Sequence, residues 1–258
     1  MNIDKLYLEI TRDCTLNCEH CLKGEKEHVN MSINTIKNIF NDISKVNTLL
    51  LTGGEPLLNI KVIEEITKLI KENNIDINTI GIITNGTVCS NKHIEVLKEL
   101  KNSCDCFQFY LSSDLFHRIE WRKLSLTDRV NINYEKYKEE LGIKKVLNDD
   151  YYKNIVLYNK GRAKLLTIER IEELYKKYHV TYKIREMDEK NNLSYIENNI
   201  YGKVCIDVHG NLIDFSISYD EENKSIKDDN YNVNCFPLNE IIYEYINNKK
   251  EKQLLKKV

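Results

Sequence analysis

The first 113 residues alternate short apolar strands with amphipathic helices, and this alternation constrains the fold more than any other feature. The helical segments carry apolar residues every three or four positions, whereas the strands are short apolar runs that end in polar turns. Strands are predicted at 5–11, 48–54, 79–86 and 106–113, and helices at 32–46, 59–74 and 91–102. Such alternation implies parallel strands wound right-handedly. The pattern therefore predicts an α/β fold, either a doubly wound sheet or a barrel.

The second half of the chain is less regular and ends in a long helix. The segment 117–122, HRIEWR, is predicted to be a polar connection, and 203–218 a hairpin that turns at His209-Gly210-Asn211. The other predicted elements are strands at 143–148, 153–164 and 181–187, and helices at 133–142, 167–180 and 237–257.

Composition and charge argue against several classes of protein. The net charge is −2 and the pI about 6.3, so no basic excess is available to bind a polyphosphate backbone. The first residues lack the basic and apolar pattern of a signal peptide, and no apolar run approaches the roughly 18 residues that span a bilayer. We expect a cytoplasmic protein with reduced thiols, and neither a membrane nor a nucleic acid as partner.

Three cysteines follow the first predicted strand at spacings of four and three residues: Cys14, Cys18 and Cys21. In parallel α/β folds, the loops after the carboxyl ends of the strands build the active site. An iron–sulfur cubane takes one ligand per iron, so three cysteines leave one iron open to a small molecule. The alternative is a structural zinc ion that takes His28 as its fourth ligand.

Further motifs stand at the ends of the next three predicted strands. GGEP (53–56) ends the second, TNG (84–86) the third and SSD (112–114) the fourth. Adjacent glycines let a ligand approach the backbone closely, and the carboxylate of Glu55 is able to hold an ammonium group. The three cysteines and these motifs are therefore predicted to meet at one edge of the sheet.

Taken in this order and on these elements, the four motifs resemble those of the radical S-adenosylmethionine (radical SAM) enzymes. The resemblance covers residues 5 to about 125, and extends weakly to about 165 through KGRAK (160–164). It implies a partial (β/α)6 TIM-like barrel over 1–190. A C-terminal extension over 191–258, a β-hairpin plus a terminal helix, is expected to pack on the barrel without forming an independent domain.

The resemblance also implies the cofactors. Cys14, Cys18 and Cys21 would ligate a 4Fe–4S cluster whose fourth iron binds the amino and carboxylate groups of SAM. Reduction of the cluster, by a flavodoxin- or ferredoxin-type protein, would cleave SAM to a 5′-deoxyadenosyl radical. That radical would abstract a hydrogen atom from the substrate, while the protein orients the cofactor and excludes water.

Seven further residues are expected to contact SAM by the same resemblance. Glu55, with the glycine pair, matches the segment that holds the methionine ammonium, Asp114 matches one that contacts the ribose and carboxylate, and His20 lies where an aromatic residue flanks adenine. The full set is His20, Gly53, Gly54, Glu55, Asn85, Ser112 and Asp114. The chain departs from the usual S-L-D-G pattern, because Leu115 stands in place of the glycine.

The substrate is less constrained by the sequence. The SSD strand end, GRA (161–163) and the hairpin favour a peptide or protein substrate, as in ribosomal-peptide maturation. A small molecule such as a nucleoside or sugar, activation of a glycyl-radical enzyme, and a zinc-stabilised binding protein stay open. Many similar members continue into a region that holds auxiliary clusters, but here only Cys205 and Cys235 remain, so we predict a single cluster.

Overall fold

A parallel β-sheet organises the protein, and helices cover one of its faces. The computed structural model describes residues 1–143, 154–158, 161–185, 193–213 and 231–255. Within them, the strands are β1 (Asn2–Thr11), β2 (Lys45–Gly53), β3 (Asp76–Thr84), β4 (Cys106–Leu111), β5 (Asn154–Tyr158), β6 (Thr181–Arg185), β7 (Ser194–Ile196), β8 (Asn199–Ile206) and β9 (Leu212–Ile213). The helices are α1 (Ile33–Phe40), α2 (Ile60–Glu72), α3 (Asn91–Lys101), α4 (Leu115–Lys123), α5 (Thr127–Leu141), α6 (Ile168–Tyr178) and α7 (Leu238–Leu255), with 3₁₀ turns at Pro56–Asn59 and Gly161–Leu165.

The strand order of the main sheet is β4-β3-β2-β1-β8-β7. Strands β1 to β4 and β8 are parallel, whereas β7 and β9 pair antiparallel with β8. Strands β5 and β6 form a separate parallel pair. Parallel strands alternating with helices, followed by a hairpin and a terminal helix, confirm the predicted fold class.

The first strand of the C-terminal hairpin is part of the main sheet. Strand β8 lies beside β1 with Leu6 opposite Val204 and Tyr7 opposite Cys205. Parallel neighbours so distant in the chain cannot be inferred from local patterns, and the sequence did not predict this pairing. The last residues of the predicted hairpin, 214–218, and nearly all of the predicted strand 143–148 lie outside the described residues.

The prediction of a polar connection over 117–122 is wrong, because this segment lies inside α4. Asp114 caps the helix by accepting hydrogen bonds from the backbone N–H groups of Phe116 (2.9 Å) and His117 (3.2 Å). The buried face of α4 contains Phe116 and Trp121 together with the carboxylate of Glu120. Because Glu120 is among the buried positions of α4, the apolar residues alone do not repeat at a helical period and did not predict the helix.

The two faces of β1 have different environments. Leu6, Leu8 and Ile10 are fully buried in the core that also contains the apolar sides of α1, α2 and α3. Tyr7 and Glu9 face the opposite, inner side of the sheet, because successive side chains of a strand alternate. The carboxyl ends of the strands and this inner face together frame the cysteine loop.

A second hydrophobic cluster attaches the cysteine loop to later elements. Leu16 and Cys18 pack in it with residues of α4, β5 and α6, among them Phe116, Leu157 and Ile171. Outside the cluster, Arg170 of α6 makes a two-point ion pair with Glu19 at 2.8 and 3.0 Å. The loop is therefore positioned by apolar contacts as well as by charge.

Across the part of the chain that is described, no helix combines the length and the apolar character needed to cross a bilayer.

The glycine pair at the end of β2 touches the backbone at the end of β1. The N–H of Gly54 donates to the carbonyl of Thr11 and the N–H of Glu55 to that of Asp13, both at 2.8 Å. A Cβ on Gly53 would lie 2.2 Å from the Thr11 oxygen, and one on Gly54 would lie 2.3 Å from the Asp13 oxygen. Such distances exclude any side chain, so these glycines allow the chain's own loop to approach.

We predict that Gly54→Ala destabilises the protein by about 3 kcal/mol, since neither backbone segment can move without breaking these hydrogen bonds. Gly142→Ala is the matched control: Gly142 has a positive φ of 60°, but its nearest neighbour is the end of the Lys101 side chain at 3.8 Å. The control should cost only about 1 kcal/mol for the left-handed backbone. Denaturant unfolding under anaerobic conditions measures both, and equal losses would contradict the contact argument.

Candidate functional site

The cysteine loop leaves β1 at Arg12 and returns to it at residues 27–31. The Arg12 N–H donates to the carbonyl of Val29 at 2.8 Å, and Glu27 donates to the carbonyl of Arg12 at 3.2 Å. The guanidinium of Arg12 is only 1% exposed and pairs with Glu27 at 2.6 Å, while a second nitrogen donates to the carbonyl of Glu25 at 3.0 Å. One buried arginine thus holds both ends of the loop together.

The three cysteines of the loop line one cavity of about 290 Å³. Their thiols are free, and Cys18 is buried. Burial raises the pKa of Cys14 to about 11 and also raises the pKa of Cys18. The thiols of Cys14 and Cys18 are therefore protonated near neutral pH, and a metal that binds them has to displace their protons.

The residues around the three cysteines fit a cluster with one open iron better than a closed zinc site. His28, the alternative fourth ligand, is 88% exposed, pairs with Asp13 at 3.2 Å and is not part of the cavity wall. The residues present therefore suit an iron–sulfur cubane.

The end of β2 forms part of the wall, but Glu55 does not. Thr52, Gly53 and Gly54 line the cavity. Glu55 is fully buried, and its oxygens accept hydrogen bonds from Leu57 N (3.1 Å), Thr84 Oγ1 (2.8 Å) and Asn85 N (2.7 Å).

Burial raises the pKa of Glu55 to about 7, although these hydrogen bonds lower it. In this arrangement the carboxylate joins the ends of β2 and β3. Its expected role toward the SAM ammonium stays a prediction.

Asn85, at the end of β3, contacts the first cysteine. Its side-chain amide donates to Thr15 Oγ1 at 3.1 Å and lies 3.5 Å from the sulfur of Cys14. Its amide oxygen accepts hydrogen bonds from the N–H and the hydroxyl of Thr87 at 3.0 and 2.7 Å. This arrangement makes Asn85 a residue that orients Cys14.

Asp114, at the start of α4, binds two histidines in the cavity wall. Its Oδ2 lies 2.7 Å from His117 Nδ1 and 3.2 Å from His20 Nε2, while its Oδ1 caps the helix. Burial alone would raise the pKa of Asp114, but the two histidines hold it well below the usual range. The ring of His20 also stacks on Phe116, with ring centroids 4.5 Å apart. The contact with Asp114 and this stacking together fix the position of the His20 ring.

The GRA segment packs directly on the third cysteine. Gly161 has a φ of 55°, and a Cβ there would lie 2.4 Å from the carbonyl oxygen of Cys21. The backbone N–H of Arg162 donates to the same oxygen at 3.0 Å, and the Arg162 side chain reaches Asn17 and the cavity wall. This 3₁₀ turn therefore packs on the end of the cysteine loop at Cys21.

Nine of the ten predicted site residues line this single cavity, the exception being Glu55. Ser112 belongs to the nine and donates through its backbone N–H to the carbonyl of Thr84 at 2.8 Å. Sequence reasoning missed Arg12, Lys23 and His117, which also line the cavity. His117 stands three residues after Asp114, and recognition of Asp114 as a helix cap would have indicated it.

Comparison with known proteins identifies the family. A family model described as the Radical SAM superfamily matches residues 8–159. An uncharacterized protein of Methanocaldococcus jannaschii is 35% identical over 99 residues, which make up 37% of this chain and 35% of that protein. The GTP 3′,8-cyclase of Clostridium acetobutylicum is 34% identical over 110 residues, 40% of this chain and 32% of the cyclase. The matches thus span about a third of these curated relatives.

Two solved structures match the chain at low sequence identity. The structure of anSMEcpe with bound AdoMet and the Cp18Cys peptide has a TM-score of 0.44 and 18% identity, over 77% of this chain and 55% of that chain. The structure of Streptococcus suis SuiB bound to the precursor peptide SuiA has a TM-score of 0.43 and 14% identity, over 82% and 59% of the two chains.

We predict that each of Cys14→Ala, Cys18→Ala and Cys21→Ala abolishes cluster assembly. Anaerobic reconstitution with iron and sulfide should load about four iron atoms per chain into the unmodified protein. Cys235→Ala, which removes an exposed thiol, is the matched control and should load normally. Iron and sulfide analysis with visible absorption measures this, and a Cys14→Ala protein that keeps the cluster would contradict the assignment.

For Asp114, an amide and a methyl substitution should have different effects. Asp114→Asn keeps an N-cap residue but loses the charge paired with the two histidines, whereas Asp114→Ala also loses the cap and should cost about 1 kcal/mol more. Both remove the charge that fixes His20 and His117, and both should weaken SAM binding to the reconstituted protein by about tenfold. Calorimetric titration measures the affinity, with exposed Asp128→Asn as control; normal affinity in Asp114→Asn would disprove the role.

Proposed function

The chain belongs to the radical SAM superfamily, and we propose that it cleaves SAM at a single 4Fe–4S cluster to take a hydrogen atom from a peptide or protein. The observation that carries this proposal is one cavity shared by Cys14, Cys18, Cys21 and the carboxyl ends of β2, β3 and β4. The bound cluster and SAM supply the radical chemistry, whereas the protein holds and orients them. Electrons would come from a flavodoxin- or ferredoxin-type partner.

The chain's own residues have separate tasks in this proposal. Cys14, oriented by the amide of Asn85, would hold the cluster on the β3 side. The backbone of Gly53 and Gly54 lines the cavity and would face the methionine end of SAM. Asp114 would accept hydrogen bonds from the ribose, and it keeps His20 in place beside the cavity.

Support for a peptide substrate comes from the elements that follow the cysteine loop. The GRA turn, which resembles a segment of peptide- and protein-modifying members, contacts the backbone of Cys21 and places Arg162 in the wall. The inner face of the sheet is partly exposed around Tyr7 and Tyr110, so an extended chain has polar and aromatic side chains to contact.

A small-molecule substrate is the second candidate function. The 110-residue match to a GTP 3′,8-cyclase, a protein named for a nucleotide substrate, favours it.

We predict that the reconstituted enzyme, given dithionite and SAM, forms 5′-deoxyadenosine. A peptide encoded beside the gene should then change in mass by an amount that reports the new or broken bond. Liquid chromatography with mass spectrometry follows both products in one sample.

A protein with all three loop cysteines replaced by alanine serves as the control and should form neither product. Absence of 5′-deoxyadenosine from the intact enzyme would overturn the proposed chemistry. Vigorous SAM cleavage beside peptides of unchanged mass would overturn the peptide substrate, and a modified nucleoside in a metabolite extract would then support the second candidate.

A further inference from the structure

Glu9 is a buried carboxylate on the inner face of β1 that accepts no hydrogen bond. Its side chain is 2% exposed, and neither of its oxygens has a hydrogen-bond partner among the described residues. Its nearest cations are Lys23 Nζ at 3.5 Å and Arg12 Nη1 at 3.9 Å. Charge-assisted hydrogen bonds to carboxylates are about 2.7–2.9 Å long, so both contacts are loose. A buried carboxylate with unsatisfied oxygens is costly to stability, which points to a use for it.

This carboxylate lies directly behind the wall of the cavity that the cysteines line. Glu9 is opposite Thr52 in the register of β1 and β2, so the two side chains share the inner face. Thr52 lines the cavity, and so do Arg12 and Lys23, the two residues paired with Glu9. Lys23 thus both lines the cavity and pairs with Glu9, so its side chain connects the two.

The charges around Glu9 favour a positively charged ligand. Arg12 lies closer to Glu27, at 2.6 Å, than to Glu9, at 3.9 Å, so among the described ion pairs Lys23 is the nearer cation for Glu9. Asp207, beyond the end of β8, is also buried; burial raises its pKa, and the charge on nearby Glu9 raises it further. Counted by residue type, three acids (Glu9, Glu27 and Asp207) face two bases (Arg12 and Lys23), and a ligand cation would offset this excess of acidic groups in a region of low dielectric.

The ammonium of Lys23 is suited to occupy the position beside Glu9 until a ligand displaces it. It stands on the cysteine loop two residues after Cys21, and its side chain is 22% exposed. Its ammonium sits on a flexible four-carbon stem and regains full hydration when it swings into solvent. An ammonium that approached to a normal hydrogen-bond distance would therefore exchange a loose pair for a tight one.

We propose that Glu9 binds a protonated amine of the substrate, and that Lys23 occupies this position until the substrate arrives. For the nature of the substrate the proposal rests on the proposed function, since a lysine side chain or a free peptide N-terminus would supply the amine. Bound there, the amine would anchor the substrate on the inner face of the sheet and direct its adjoining carbons toward the cavity.

The first test needs no peptide. Thermal unfolding of the reconstituted protein is measured with n-butylammonium chloride, with n-butanol as the neutral probe of matched shape, each at about 50 mM. The ammonium, but not the alcohol, should raise the Tm of the wild-type protein. Glu9→Gln should remove this shift, and Lys23→Met, which clears the position, should enlarge it.

Glu140→Gln and Lys98→Met are the control variants, because they break a surface ion pair of 2.6 Å far from the loop, and both should respond like the wild type. A purely structural pair between Glu9 and Lys23 gives no reason for opposite responses of the two variants. Equal ammonium shifts in wild type, Glu9→Gln and Lys23→Met, or no shift in any of them, would overturn the proposal.

The second test uses peptides that the enzyme modifies, each synthesised with lysine or its uncharged isostere norleucine, and with a free or an acetylated N-terminus. The wild-type enzyme should prefer the charged form at one position by about tenfold or more in kcat/KM, and Glu9→Gln should abolish that preference. Equal preference in both enzymes would contradict the role of Glu9. If no peptide changes mass, the peptide substrate fails, whereas the ammonium response still decides whether Glu9 binds an amine.

Discussion

The site depends on a contact between two backbones: the glycine pair that ends β2 lies against the carbonyl groups of Thr11 and Asp13 at the end of β1. Hydrogen bonds of 2.8 Å from Gly54 and Glu55 fix this contact, and no side chain fits at either glycine. Because Cys14 follows Asp13 directly, the contact sets where the cysteine loop begins. The position of every cysteine in the loop relative to the sheet therefore depends on a pair of residues that carry no side chain.

Later parts of the chain then hold the loop at three further points. The N–H of Asn17 donates to the buried carboxylate of Glu120 on α4 at 3.3 Å. Arg170 on α6 forms an ion pair with Glu19, and Gly161 packs against the carbonyl oxygen of Cys21. A loop of sixteen residues, from Arg12 to Glu27, thus has few free conformations. Such preorganisation is what a cluster site needs, since three ligands have to converge without further ordering cost.

The sequence was sufficient for the alternating elements, the cysteine loop and the meeting of four strand ends, because periodicity and turn chemistry are local properties. Three features required the folded chain. The pairing of β8 with β1 joins residues nearly 200 positions apart, as Leu6 and Val204 show. Helix α4 was hidden because its buried face includes Glu120. Glu55 was expected at the cavity, but its carboxylate accepts hydrogen bonds from Leu57, Thr84 and Asn85 and faces the protein interior instead. The spacing of residues in the sequence could not have indicated this.

In the proposed function, three cysteines leave one iron of the cluster free for SAM. Pulsed electron paramagnetic resonance of the reduced, reconstituted protein tests it most directly, with SAM labelled by ¹⁵N at the amino group and ¹⁷O at the carboxylate. Hyperfine coupling of the cluster spin to both labels is the result that this account predicts. A 4Fe–4S signal with coupling to neither label, when SAM is bound to the protein, would contradict it.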